Sequence, residues 1–330
     1  MSQPSHLKTI CYRGFAHGPK LLVLGAVHGN EVCGTRAIER ICNEIDAGLL
    51  SISCGMVTFV PITNPLAYIR QQRAGDRNLN RNLRSTGVPQ DFEDKLANAL
   101  CPLLESHDVL LDLHSFHTGG EPFAMLGPAN NRGELEPFDK ACEEEALARR
   151  LGPRRIVEGW LDTYARGVKK RTANASASER ANMLSTDPAY GVGTTEYMRS
   201  RGGYAITLEC GQHAAAEAPE VAYQAIKNSL AHLGLSPLKP PAARADLEVL
   251  KISEVIDRNH PEDSFVRAWA SFDRVMVGEL IGSRHDGSEV RAERDGYILF
   301  PNPNALPGNE WFYFADLSAR TVDGVPASAR

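Results

Sequence analysis

The segment Leu21–Val27 (LLVLGAV) is the stretch of sequence that decides the fold. It is an uninterrupted apolar run, with Gly18-Pro19 before it and His28-Gly29 after it. Such a run is typical of a strand that is buried on both faces, as strands of parallel sheets are. Residues 31–46 then carry apolar side chains at helical spacing, which predicts an amphipathic helix directly after the strand.

The same alternation of strand and helix patterns recurs along the chain. Further strands are predicted at 56–62, 109–113 and 204–208, and further helices at 92–104, 137–151, 194–200 and 221–233. This order favours an α/β fold, a mostly parallel sheet with helices on both faces. Residues 152–193 are polar and rich in Ala, Ser and Arg, and we expect loops and a short helix there.

The composition changes after Leu233. Three prolines within residues 234–245 indicate a linker, and short β-type runs separated by turn signals follow it. We therefore expect two domains, an α/β domain over 1–240 and a small all-β domain over 241–330.

The composition excludes several classes of protein. Hydrophobic residues make up 42% of the 330 residues and charged residues 23%, which predicts a globular chain. The net charge of -5 argues against a nucleic-acid-binding surface, and no apolar run is long enough to span a membrane. The N-terminus lacks the pattern of a signal peptide, and the seven scattered cysteines include no CxxC, so we expect reduced thiols and a cytoplasmic location.

Four polar residues stand at the ends of predicted strands. His28 follows the first strand, with Glu31 three residues later; His114 and Glu209 follow the strands at 109–113 and 204–208. Each alone would be an ordinary loop or helix-start residue. Because the carboxyl ends of parallel strands meet at one edge of a sheet, we expect the four together there. His-x-x-Glu with a distant His is a His2Glu zinc set that leaves the fourth position for water.

An arginine-rich segment, residues 64–84, follows the strand at 56–62. Its five arginines, at spacings of three or four, could form one solvated helix face. Asn64-Pro65 and Gly75-Asp76 interrupt such a helix, however, and long loops at this edge of a sheet are usually functional. Guanidinium groups bind carboxylates bidentately, so we expect at least two of these arginines to face an anionic substrate.

These motifs together resemble one known family. HGNE at 28–31, NPLA at 64–67, RAGDRNLNR at 73–81, DLH at 112–114, LEC at 208–210 and FPNPN at 300–304 are similar to those of the succinylglutamate desuccinylase/aspartoacylase family, relatives of the zinc carboxypeptidases. The resemblance implies a zinc carboxypeptidase-like fold and a hydrolase that splits the amide bond of a small, anionic N-acylated amino acid. It also implies one Zn2+ per chain.

The resemblance also implies roles for individual residues. His28, Glu31 and His114 would bind zinc, Glu209 would act as general base and acid, and Arg73 would polarise the scissile carbonyl. Asn80 and Arg81 would hold the carboxylate of the substrate. Tyr313 is the best match to a further substrate-contacting tyrosine, but its place in an apolar run favours a residue on one face of a strand.

Two other functions stay open at this stage. A metallocarboxypeptidase acting on short peptides would use the same zinc set, and a non-catalytic small-molecule-binding relative would keep the scaffold alone. The sequence does not give the acyl group or the amine side chain of the substrate. It also does not decide between a monomer and a homo-oligomer.

Several neighbouring residues have two readings. Asp112 shares a strand face with His114 and either orients it or is buried elsewhere. His117 and His213 lie just past site strands and could touch substrate. Cys33 and Cys210 are expected as apolar filling, and Lys169-Lys170-Arg171 as a solvated charged run.

Overall fold

The computed structural model describes residues 3–174 and 186–322. The strands in these residues are β1 (Ile10–Arg13), β2 (Ala16–Leu24), β3 (Cys54–Val60), β4 (Val109–Phe116), β5 (Phe123–Met125), β6 (Arg155–Glu158), β7 (Tyr204–Gln212), β8 (Glu248–Asp257), β9 (Ser264–Phe265), β10 (Arg274–Val275), β11 (Leu280–Ser283), β12 (Glu289–Arg291), β13 (Gly296–Leu299) and β14 (Glu310–Leu317). The helices are α1 (Cys33–Asp46), α2 (Pro65–Arg70), α3 (Phe92–Glu105), α4 (Ala141–Ala148), α5 (Trp160–Asn174), α6 (Thr194–Ser200) and α7 (Ala218–His232), with a 3-10 turn at Pro188–Gly191.

The apolar run that begins at Leu21 forms the second half of β2. Leu21 and Val23 pack into the core on one face of the sheet, Leu22 and Leu24 into the core on the other, and all four are fully buried. The run is continuous because both faces exclude water.

Helices cover both faces of this sheet. Helices α1, α4 and α7 pack on the face of Leu21, and α3 and α6 pack on the opposite face. The helix predicted at 137–151 is shorter, because Phe138 pairs with Asn131 through backbone hydrogen bonds and the helix begins only at Ala141. Among the helices of the described residues, none has the length and apolar character needed to cross a membrane.

Eleven strands form one sheet in the order β1-β3-β2-β4-β7-β5-β6-β8-β14-β13-β10. Strands β3, β2, β4 and β7 are parallel neighbours, as are β5, β6 and β8, whereas β5 runs antiparallel to β7 and both edges of the sheet are antiparallel. A separate three-stranded sheet has the order β12-β11-β9. The architecture is thus a mixed α/β fold whose central sheet is mostly parallel, as predicted at that level.

The expectation of loops and a short helix over 152–193 is wrong for much of its described part. Strand β6 inserts between β5 and β8, and α5 is 15 residues long. The buried residues Leu161, Tyr164 and Val168 recur at helical spacing along α5, a pattern that the many polar residues between them obscure. Residues 175–185 lie outside the described residues.

The chain after residue 241 contains strands and no helix as far as residue 322. Strand β8 pairs in parallel with β6, and β14 pairs with β8, so this part of the chain extends the central sheet. The division into domains at 240/241 stays a prediction.

Candidate active site

The four predicted polar residues lie together at one edge of the sheet. We expected His114 and Glu209 to follow their strands, but they lie inside β4 and β7, where they are paired neighbours in the parallel ladder. Paired residues on adjacent strands present their side chains to the same face. His28 reaches this face from the turn after β2. The helix pattern over 31–46 predicts Glu31 in the first helical turn, but α1 begins only at Cys33, two residues after Glu31.

The turn after β2 depends on a close contact. Ala26 adopts a positive φ of 47°, which redirects the chain before His28. At Gly29 a Cβ atom would lie 2.0 Å from the backbone carbon of Ala67 in α2, so only glycine fits. The glycine is therefore required by the close approach of α2.

Three buried side chains converge on one point. Glu31 Oε1 lies 2.9 Å from His28 Nδ1, and Glu31 Oε2 lies 2.9 Å from His114 Nδ1. The backbone N–H of Ser115 also donates to Glu31 Oε2 at 3.1 Å. One ligand atom from each of the three residues lies within 4.8 Å of the others, which is the arrangement a small metal ion needs.

The second nitrogen of each imidazole is held from behind. Asn78 Oδ1 accepts the backbone N–H of Asn80 at 2.9 Å and lies 3.1 Å from His28 Nε2. Since that amide oxygen only accepts, His28 Nε2 carries the proton and Nδ1 keeps its lone pair. His114 Nε2 lies 2.9 Å from Asp112 Oδ2, which in turn accepts the hydroxyl of Thr194.

This donor set fits zinc. His28 Nδ1 is buried without a hydrogen-bond partner among the described residues, and two imidazoles with one carboxylate are the ligands of a catalytic Zn2+ site. Burial, with Arg73 beside it, lowers the pKa of His28 to about 4, so its ring is neutral at neutral pH. Burial opposes ionisation of Glu31, but the two imidazoles outweigh it and hold the Glu31 pKa well below its usual range.

Glu209 has the environment of a group that exchanges protons. It is buried, and its Oε2 has no hydrogen-bond partner among the described residues. Burial, partly offset by His114 and reinforced by the charge of Glu31, raises the pKa of Glu209 to about 8. A carboxyl group with a pKa near neutrality can both accept and donate a proton.

The arginine-rich segment separates into different environments. Arg73 donates to Glu31 Oε1 at 2.8 Å, and the side chain of Arg81 stacks 4.7 Å from the Trp160 ring centroid and contacts no carboxylate within 4.0 Å in the described residues. Arg77 pairs with acidic residues at the start of α3, Arg70 pairs with Asp76, and Arg84 is exposed. The segment is therefore neither one solvated helix face nor a set of equivalent arginines.

The other two expected substrate contacts lie in the same cavity. Asn80 Oδ1 accepts the backbone N–H of Thr194 at 2.8 Å, so its Nδ2 is the group left for a ligand. Tyr313 is a buried residue of β14 whose ring lies 5.5 Å from that of Trp160. It is both part of a strand and part of the cavity wall, so the two readings of the sequence are compatible.

The cavity has a volume of about 790 Å3. Its lining includes His28, His114, Glu209, Arg73, Arg77, Asn80, Arg81 and Tyr313, and the loop at 304–309 forms part of its wall. His117 and His213 also line it; His213 Nδ1 lies 2.8 Å from Ser115 Oγ. The expectation that Arg171 is solvated is wrong, because it is half-buried and pairs with Asp257 at 2.9 Å.

Sequence reasoning missed several cavity residues. Asn78, in the cavity wall, contacts the His28 ring, and Thr194, just behind the wall, donates its hydroxyl to Asp112. Neither has a signal beyond its place in the Arg81 motif or at a predicted helix start. Trp160, Tyr164 and Glu310 come from α5 and β14. Their contribution depends on strand pairings between residues 53 to 93 positions apart, which no local pattern records.

Part of the chain matches the model of one known protein family. Residues 17–132 match the Succinylglutamate desuccinylase/Aspartoacylase catalytic domain. The match confirms the family resemblance carried by the motifs, and it contains His28, Glu31, His114 and the arginine-rich segment. No curated protein matches the chain.

Solved structures with this fold cover nearly the whole chain. A succinylglutamate desuccinylase/aspartoacylase from Rhodobacter sphaeroides has a TM-score of 0.70 at 19% identity, with 94% of this chain and 90% of that chain covered. The product-bound ectoine utilization protein EutE (DoeB) from Ruegeria pomeroyi has a TM-score of 0.68 at 19% identity, with 93% and 88% covered. A succinylglutamate desuccinylase from Vibrio cholerae has a TM-score of 0.66 at 19% identity, with 92% and 82% covered. These likenesses show the fold.

Proposed function

We propose that the protein is a zinc-dependent hydrolase that splits the amide bond of a small, anionic N-acylated amino acid. The observation that carries the proposal is the convergence of His28 Nδ1, His114 Nδ1 and the Glu31 carboxylate beside Glu209. The matched catalytic-domain family and the names of the structural relatives support the same reaction class.

His28, Glu31 and His114 would hold the metal. When bound, Zn2+ lowers the pKa of a water molecule toward neutrality and polarises a carbonyl oxygen. The backing of the two imidazoles by Asn78 and Asp112 keeps their Nδ1 atoms aimed at one point, so little reorganisation is needed on binding.

Glu209 would move the proton. Its carboxylate accepts a proton from the attacking water and delivers it to the nitrogen of the leaving amine, while the carbon–nitrogen bond of the amide breaks. The products are a carboxylate from the acyl group and a free amine. Burial raises the pKa of Glu209, which favours holding the proton on this carboxyl group until the amine nitrogen takes it.

The two arginines would have different tasks. Arg73 lies beside Glu31, where it can stabilise the charge that develops on the carbonyl oxygen in the transition state. Arg81 lies deeper in the cavity against Trp160 and Tyr164 and, with Asn80 Nδ2 and Tyr313, would hold a substrate carboxylate. A cavity of about 790 Å3 closed on one side by the 304–309 loop favours a small substrate over a peptide.

Two variants test the metal and the base separately. His114→Ala should lose bound zinc, whereas His232→Ala, which changes a half-buried histidine on α7, should retain it. Glu209→Gln should keep zinc near the wild-type level and lower kcat by about 10² or more. Stoichiometric zinc in His114→Ala would refute the ligand assignment.

Substrate screening distinguishes the competing functions. The zinc-loaded enzyme is assayed with N-acetyl, N-succinyl and N-formyl amino acids and with dipeptides. Turnover confined to acyl amino acids supports the proposal, and preference for dipeptides indicates a metallocarboxypeptidase. Zinc-free protein that binds amino acids without hydrolysing any amide would indicate a binding protein.

A further inference from the structure

Most of the charged groups that line the cavity away from the metal site have an ion-pair partner among the described residues. Arg77 pairs with Asp91 and Asp94 at 3.0 and 2.8 Å. Arg171 pairs with Asp257 at 2.9 Å. Among the described residues, these two guanidinium groups are therefore already matched by carboxylates and have little charge to offer a ligand.

The buried end of the cavity follows the same rule. Arg199 pairs with Glu144 and Glu136, both at 2.8 Å. Both carboxylate oxygens of Glu196 accept hydrogen bonds, from the backbone N–H of Gly193 and from the hydroxyl of Thr195. Glu196 also lies 3.8 Å from Arg199, so each charged group at this end has an ion-pair partner among the described residues.

Two lining charges differ from the rest, Arg81 and Glu310. Within the described part of the chain, neither has an ion-pair partner within 4.0 Å, and Glu310 accepts no hydrogen bond from a side chain or backbone. Arg81 donates only to the backbone carbonyl of Asn80, at 2.8 Å. The cavity thus presents one unmatched cation and one unmatched anion that do not touch each other.

Both groups are held in place. The guanidinium carbon of Arg81 lies 4.7 Å from the ring centroid of Trp160 and 5.5 Å from that of Tyr164, which orients it by cation–π contact. Glu310 is the first residue of β14, and its backbone is opposite that of Asp257 in the antiparallel ladder with β8. The loop before it is tied to Arg258 by backbone hydrogen bonds of 2.7 and 2.9 Å.

The two groups also sense each other. Burial acts to lower the pKa of the Arg81 guanidinium, but Glu310, the strongest charge acting on it, contributes to raising that pKa. Burial and then Glu310 raise the pKa of Tyr313, which lies between the aromatic wall and the cavity, well above its usual value. Glu310 therefore contributes a negative field to the space that Arg81 faces.

From this arrangement we infer that the amine portion of the substrate carries one carboxylate and a second, cationic nitrogen, so that the substrate is an N-acylated basic or diamino acid. The carboxylate pairs with Arg81 and the ammonium group with Glu310. The inference rests on the proposed amide hydrolase. It makes Glu310 a specificity-determining residue, because a dicarboxylic amino acid would place its second carboxylate against the Glu310 charge with no unmatched cation among the described residues to receive it.

The test compares three acetylated amino acids on the zinc-loaded wild-type enzyme. Nα-acetyl-ornithine has the cationic side chain, Nα-acetyl-norvaline lacks only the ammonium group, and Nα-acetyl-glutamate has a carboxylate instead. We expect kcat/KM to fall in that order, with about tenfold or more between the first and second, as a charged hydrogen bond implies. Preference for acetyl-glutamate over acetyl-ornithine would overturn the inference.

Variants of Glu310 locate the preference. Glu310→Gln should lower kcat/KM for acetyl-ornithine about tenfold or more and leave acetyl-norvaline nearly unchanged, and Glu310→Lys should reverse the order of acetyl-ornithine and acetyl-glutamate. Glu262→Gln, which changes an exposed glutamate in the turn between β8 and β9, is the matched control and should change neither. Equal effects of Glu310→Gln on all three substrates would refute the specificity role.

A binding measurement separates this inference from the proposed function. Titration calorimetry of free ornithine and norvaline into the wild-type protein needs no turnover. If no amide is hydrolysed yet ornithine binds at least tenfold more tightly than norvaline, the hydrolase proposal fails and the Arg81–Glu310 subsite stands. If amides are hydrolysed and the two amino acids bind equally, only the subsite fails. The wild-type comparison also remains decisive if a Glu310 variant does not fold.

Discussion

Asn78 controls the orientation of His28, and replacing it should weaken metal binding. Its Oδ1 is fixed by the backbone N–H of Asn80 and receives the Nε2 proton of His28, which leaves Nδ1 unprotonated. Asn78→Ala removes that acceptor, so the buried ring can rotate or take the other tautomer.

The expected size follows from the hydrogen bond that is lost. Loss of a group that hydrogen-bonds a metal ligand costs about 10- to 100-fold in metal affinity, which is about 1.4–2.7 kcal/mol. Asn78→Asp keeps an acceptor oxygen for both hydrogen bonds and adds a charge. It should therefore bind zinc at least as tightly as the wild type does.

The assay is competition for Zn2+ between the apoprotein and a chromophoric chelator of known affinity. The matched control is Asn98→Ala on α3, because the Asn98 amide also makes two hydrogen bonds, to the backbone of Thr86 at 2.7 and 2.8 Å, but away from the metal site. A zinc affinity of Asn78→Ala within twofold of both the wild type and Asn98→Ala would refute the reasoning. Nitrogen chemical shifts of His28 in the apoprotein should also report the Nε2–H tautomer.

Three further outcomes are expected. In steady-state kinetics, Arg73→Met should lower kcat about tenfold or more, and Arg81→Met should mainly raise KM by a similar factor. Arg84→Met changes an exposed arginine and should alter neither constant. Identical small effects of all three variants would contradict the assigned roles. Arg199→Met leaves the Glu144 and Glu136 carboxylates without their ion-pair partner and should lower the free energy of unfolding by about 3–5 kcal/mol, measured by urea titration. The control is Arg201→Met, which changes an exposed arginine and should cost about 0–1 kcal/mol. Equal losses in the two variants would count against a stabilising role of the buried ion pairs. Burial raises the pKa of Glu136 to about 7 in the folded protein, so between pH 4.5 and 7 the folded protein holds a proton that the unfolded chain has released. The resulting contribution to stability is fully present below pH 4.5 and is lost as the pH rises through 7. Urea titrations between pH 4.5 and 7 should therefore show a weaker decrease of stability with pH for Glu136→Gln than for the wild type.

The sequence predicts that His28, Glu31, His114 and Glu209 lie together, and the structure brings them together because that end of the cavity is built from local patterns. An apolar run and a polar residue at its end are read within ten residues, and the pairing of β2, β4 and β7 then brings His28, His114 and Glu209 together. The error there is small: β4 and β7 continue through His114 and Glu209, since both faces of these strands stay buried beyond the apolar run.

The opposite end of the cavity could not be predicted in the same way. The sequence around Arg171 predicts a solvated basic run, but Arg171 forms an ion pair with Asp257, which lies 86 residues later in the chain. Strand β6 is four residues long and gains its place only by pairing with β8. Local propensity cannot identify elements whose stability comes from partners so far along the chain.

This division of the cavity explains why a motif that indicates the reaction says little about the substrate. At the metal end, His114 and Glu209 lie on neighbouring strands, and moving either by one position would turn its side chain to the other face of the sheet. Arg81 and Glu310 instead come from a loop and from the first residue of β14, and nothing in the metal geometry constrains the charge at either position. The pairing of β6 with β8 and of β8 with β14 places Glu310 at the cavity. Under the proposed function, selectivity can thus change through one side chain on these strands while His28, Glu31, His114 and Glu209 remain as they are.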